Sequence, residues 1–207
     1  MSVLQQGSID LMNLGDTNWE DFETIHDLHA PWFSLEVTSE DISKCKDILA
    51  VITYLAGYCC YAVSKKMKCL FCKDMITCTE LADTLPENHS YIQGISRGSL
   101  LYPDDTTTNI VLYNYIIINK LAKDPVFVHS INQRNLATEL TLNALTDDDA
   151  LFYNDFCGSG HSSEKLERMI VWASTNALLN NFCARENDSI VANKSLQKNR
   201  KLKTLMK

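Results

Sequence analysis

The chain has 207 residues, 45% of them hydrophobic, with a formal net charge of -7 and eight cysteines. One domain with a tail is the simplest count, and the apolar content is enough for a core. The acidic balance argues against a domain that coats DNA over its whole surface, and no uninterrupted apolar run in the sequence is long enough to read as a membrane span.

Charge is unevenly distributed. Residues 1–43 hold nine acids and no Lys or Arg, whereas Lys194–Lys207 holds six basic residues and no acid. Without that tail the net charge would be -13. Residues 1–37 read as an irregular acidic segment, because Gly7, Gly15 and Pro31 interrupt any period. Trp19, Phe22, Trp32 and Phe33 are the aromatics it offers for docking on a core.

Thr38-Ser39-Glu40-Asp41 is a helix start: a hydroxyl to cap amides, with acids at the positive end of the helix dipole. Apolar residues then recur at Ile42, Cys45, Leu49, Ile52, Ala56, Cys59, Val63 and Met67, a spacing of three and four. This predicts one long central helix over about 39–67, with Ile52, Leu55, Ala56 and Cys59 buried. Gly57 costs a helix about 1 kcal/mol against Ala, so its expected use is to let another backbone approach closely. The competing reading is a strand at Leu49–Tyr54, from the β-propensity of Val51-Ile-Thr-Tyr54. Lys65, Lys66 and Lys68 suit a helix C-terminus.

That helix delivers Cys69-Leu70-Phe71-Cys72 onto the following turn. Downstream, Cys157-Gly158-Ser159-Gly160-His161 adds a thiol and an imidazole around two glycines. The set C-x2-C…C-x3-H has the residue types of a tetrahedral zinc site, and four protein ligands leave no open position for chemistry. The other reading of such thiols is burial as small hydrophobes, the role expected of Cys45, Cys59 and Cys60. A disulfide framework is not expected: no secretory leader is evident, and a reducing, intracellular compartment suits thiolate ligands.

Further along, a loop is expected around Leu85–His89, and Pro103 closes a turn-rich stretch. Asp104 and Thr106–Thr108 offer caps for a helix over about 109–122, against the β-propensity of its Ile-Val-Leu and Ile-Ile-Ile runs. Residues 126–145 read as another amphipathic helix. Ser162 or Ser163 caps a last one, with Leu166, Ile170, Ala173, Ala177 and Phe182 on its stripe. Asp147-Asp148-Asp149 reads as a solvated run or a cap. His26 and His29 straddle an irregular segment and could bind metal, although such histidines are more often on the surface or hydrogen-bonded; His89 and His129 are single, with no partner spacing. No hydrolase elbow and no phosphate-binding glycine loop is present in the sequence.

Several strings carry a resemblance when taken in order. They are Ile52–Tyr58 with Ser64-Lys65-Lys66 and Cys69-x2-Cys72, Arg97–Pro103, Asn132-Gln133-Arg134, Cys157-x3-His161, and Leu178–Phe182. Over about residues 40–205 the chain resembles the C-terminal region of P-element-like transposases, the family that includes the THAP-domain transposases. The resemblance implies a mainly α, zinc-stapled domain over 38–187, flanked by the acidic 1–37 and a basic tail over 188–207. It implies structural zinc on Cys69, Cys72, Cys157 and His161. It also implies a nuclear setting and contact with DNA or with other transposase-like chains. The basic cluster Lys194, Lys198, Arg200, Lys201 and Lys203 is the segment whose charge suits contact with phosphates or nuclear import, the other reading being a solvated terminus. The family's nuclease carboxylates lie upstream of the matched region and none can be placed here, so no catalysis, small-molecule substrate or membrane partner is expected. The alternative is a zinc-dependent protein-interaction module without a DNA role.

Overall fold

The computed structural model of the chain describes residues 35–78, 87–89, 92, 101–128, 132–146 and 162–181. These are mostly helical, and among the described residues there is no strand, only an isolated bridge between Thr77 and Pro103. The chain divides into two compact units, Glu20–Asn176 and a second made of Met1–Trp19 with Ala177–Lys207. The first holds nearly all the described residues. Of the second only 177–181 is described, as helix, with Ala177 and Leu179 buried.

Helix α1 (Ser39–Lys44) begins where the sequence places a start. Asp41 N–H donates to Thr38 Oγ1 at 3.3 Å, and Thr38 N–H donates to Asp41 Oδ2 at 3.0 Å, a reciprocal capping box. The predicted single helix over 39–67 does not form. The chain breaks at Cys45, passes through a 3-10 turn (Lys46–Ile48), and restarts as α2 (Leu49–Lys66). Cys45 N–H bonds Ile42 O at 3.0 Å and Ile48 N–H bonds Cys45 O at 3.1 Å. A three-residue advance satisfies a 3-10 turn as well as an α-helix, so the apolar spacing did not distinguish the two.

Helix α2 buries Ile52, Thr53, Ala56, Gly57, Cys59, Cys60 and Val63, while Leu55 is half-buried. The alternative strand at 49–54 is absent. The stretch Lys46–Lys66 is long and apolar enough to meet the composition of a membrane span, and 39% of its apolar window is buried in the fold, where it packs against the next long helix. Short α3 (Leu70–Met75) follows, and a 3-10 turn at Glu87–His89 packs back on α2.

Helix α4 (Asp105–Leu121) is more deeply buried than α2, with eleven buried residues against seven. Asp104 caps it, accepting from Thr107 N–H at 2.9 Å and Thr106 N–H at 3.2 Å. Length, caps and packing on both α2 and α6 override the strand propensity of its Ile-rich runs. The expected helix over 126–145 is two: α5 (Pro125–Val128) and α6 (Gln133–Thr146). Gln133 Nε2 donates to Phe127 O at 3.1 Å and Val128 O at 2.7 Å, so a side chain satisfies carbonyls at the end of α5. Helix α7 spans 163–181. Ser162 Oγ accepts from Lys165 N–H at 3.3 Å, the predicted cap, and Leu166, Ile170, Ala173 and Ala177 are buried as expected. Phe182 lies outside the described residues.

A polar cluster joins α4, α6 and α7 inside the core. The amide of Asn114 is fully buried. Its Nδ2 donates to Val171 O at 3.1 Å and Thr175 Oγ1 at 2.9 Å, while its Oδ1 accepts from Thr141 Oγ1 at 3.0 Å and Thr175 Oγ1 at 3.2 Å. Every polar atom of that amide is matched, so burial costs little and misregister costs a great deal. Near it, Arg168 forms a bidentate pair with Glu139, linking α7 to α6.

Candidate metal centre and basic turn

The Cys69–Cys72 pair is set by two helix ends. Helix α2 finishes with Met67 N–H on Val63 O at 3.1 Å, and Met67 then turns to extended backbone. Cys69 stands at the N-cap of α3, and Lys73 N–H reaches back to Cys69 O at 3.3 Å. Cys69 and Cys72 thus stand at the N-cap and the third position of one short helix. Cys72 is buried and Cys69 half-buried. Between them, Leu70 is 72% and Phe71 47% exposed.

Cys157 and His161 lie outside the described residues, as do the tail residues Lys194, Lys198, Arg200, Lys201 and Lys203. Among the described residues no group of three or more His, Cys, Asp or Glu side chains could hold a metal ion. Two thiols one turn apart suit half of a tetrahedral zinc shell, with ligand types that favour this metal. Asp147–Asp149, His26, His29 and His129 are also outside the described residues.

Three other thiols behave as the sequence suggests. Cys45, Cys59 and Cys60 are buried. Desolvation pushes the Cys59 and Cys60 thiols well up and raises that of Cys45, which keeps all three protonated and unreactive. Cys60 Sγ donates to Ile76 O at 3.0 Å. The same carbonyl accepts Thr107 Oγ1–H at 3.3 Å and Asp104 N–H at 3.2 Å, so one oxygen ties α2 and α4 to the end of α3. Burial pushes the Tyr58 phenol up to about 12. His89 is buried, with Nε2 donating to Pro103 O at 3.0 Å and its ring 5.9 Å from that of Tyr102; it holds the 101–103 segment rather than forming a site.

A surface the sequence reading passed over is the basic turn between α2 and α3. Lys65, Lys66 and Lys68 are exposed, and Lys65 Nζ sits 4.4 Å from the centre of the Tyr61 ring. The available signal was the acid-free run from Ile48 to Lys73 with four lysines at its end. No protein-family model, curated protein or solved structure matches the chain.

Proposed function

We propose that the chain is a zinc-stapled, mainly helical domain of P-element-like transposase type. It acts as a structural and contact module and carries no nuclease chemistry. The observation that supports this reading is the meeting of two of its motif strings. Gly57, in Ile52–Tyr58, lies so close to Leu101 O, in Arg97–Pro103, that a Cβ there would be 2.5 Å from the oxygen. Strings chosen for their order in the sequence are thus neighbours across the core, and the Cys69–Cys72 pair follows directly on the helix that carries the first. In this reading Cys69, Cys72, Cys157 and His161 hold one structural zinc that pins α3 to the 157–161 segment, and the basic tail contacts DNA in the nucleus.

The experiment is metal analysis of the purified chain. About one zinc per chain is expected, as for a closed four-ligand site, with loss of zinc in Cys72→Ser and in His161→Ala. Metal-free protein, or zinc retained in both variants, rejects the staple. The second reading, a zinc-dependent protein-interaction module, is favoured by the exposed Leu70 and Phe71. Zinc at full stoichiometry together with no nucleic-acid binding at low salt would select it.

A further inference from the structure

We infer that the turn between α2 and α3 is a contact for single-stranded nucleic acid, with Lys65, Lys66 and Lys68 on phosphates and Phe71 stacked on a base. The inference deepens the transposase-like reading and rests on it for choosing a nucleic acid among polyanions. Three facts carry it. The three lysines are exposed within an acid-free run from Ile48 to Lys73, and the first acid beyond it is the exposed Asp74 toward the end of α3. Phe71 and Leu70 stand exposed beside them, at 47% and 72%. Lys65 lies over the Tyr61 ring, which keeps a cation and an aromatic together at the edge of the patch.

Lysines alone would fit any polyanion. An exposed aromatic among lysines fits a strand whose bases are unstacked, because a duplex hides its base faces. The two thiols that bracket Leu70-Phe71 would, with metal, hold that tip rigid, so that stacking costs little ordering of the protein. A lipid surface fits less well. Helix α3 has six residues, too short to lie along a membrane on an apolar face. The other strongly exposed apolar residue of the region, Val51, sits fourteen residues before Lys65 on α2, about 21 Å away along the helix.

The test is fluorescence anisotropy of a labelled fifteen-nucleotide oligo-dT with the full chain, its Phe71→Ala and Phe71→Trp variants, and a Lys66→Gln/Lys68→Gln double variant. Phe71→Ala is expected to weaken binding at least about fivefold, the low end for loss of one stacked base, and Phe71→Trp to restore it. The lysine pair is expected to reduce the magnitude of the salt slope by about 1.4, two phosphates at about 0.7 each. Equal affinity of wild type and Phe71→Ala for oligo-dT overturns the inference. So does binding to vesicles of phosphatidylserine and phosphatidylcholine, or to polyglutamate, that depends on Phe71 while oligo-dT binding does not. Zinc content is measured on every variant. Zinc present with oligo-dT binding indifferent to Phe71 and to the lysines rejects this contact and leaves the staple standing. Zinc absent with Phe71-dependent binding rejects the staple and supports the contact.

Discussion

Gly57 shows how one missing side chain can set the packing of a domain. It lies in α2, where Ala would ordinarily add about 1 kcal/mol of stability. A Cβ here would meet Leu101 O at 2.5 Å, Ile92 Cδ1 at 3.1 Å and Pro103 Cδ at 3.6 Å. The first neighbour is backbone, so the helix or the 101–103 segment must move. Gly57→Ala is therefore expected to lower stability by about 1–3 kcal/mol, the usual cost of overpacking. Urea unfolding followed by circular dichroism checks this, and a midpoint at or above wild type would show that the approach is not limiting. This role was legible in the sequence, because a glycine inside an apolar helical stripe needs a close neighbour. The role of Asn114 was not. Its hydroxyl partners lie 27 and 61 residues away at Thr141 and Thr175, and no local pattern announces that such residues converge. The cysteine pair falls between the two: its spacing was legible, and the contrast between buried Cys72 and the protruding Leu70 and Phe71 was not.

Elements meet through a few charged or polar ties, and the best defined is that of α1 to α4. Lys120 Nζ donates to Asp41 Oδ2 at 2.7 Å and to Glu36 O at 2.6 Å. Lys120, then the Thr38 N–H and hydroxyl, hold the Asp41 carboxyl well below the usual carboxylate range. A depressed folded-state pKa means that the unfolded chain takes up the proton first. The stabilisation is then fully present above about pH 4, the ordinary value for Asp, and is lost as pH falls below it. Asp41 is part-exposed, so the pair contributes about 1 kcal/mol at most. Asp41→Asn should unfold at lower urea than wild type at pH 7, and the gap should narrow steadily from about pH 4 downwards. A gap of constant size across that range would assign the effect to the cap geometry instead of the charge. Helix existence and caps were legible at this scale, since Thr38, Asp104 and Ser162 each cap as their chemistry suggests. The breaks at Cys45 and before Gln133 were not, because each depends on a hydrogen bond that leaves the apolar period intact.

Across the whole molecule, charge separation is the property most open to measurement. The chain carries -7 overall, yet six of its 19 basic residues fall within Lys194–Lys207. The body is net acidic without the tail, so the tail is expected to supply most of any non-specific duplex binding. Replacing Lys194, Lys198, Arg200, Lys201 and Lys203 with Gln keeps the chain length and removes most of that charge. The substituted chain is expected to lose at least about tenfold in duplex affinity at low salt and most of its salt dependence, because counterion release scales with the phosphates neutralised. Six cations set an upper bound of about 5 on the wild-type slope of log affinity against log salt, at about 0.9 per phosphate. Binding to single strands through the turn between α2 and α3 should fall far less, since its lysines and Phe71 are untouched. The two surfaces are thus separable by substrate: the tail variant loses the duplex and keeps the single strand, and Phe71→Ala does the reverse. Duplex binding that is sequence-specific and survives neutralisation of the tail would mean that the helical body itself reads DNA, and would remove the tail from the proposal.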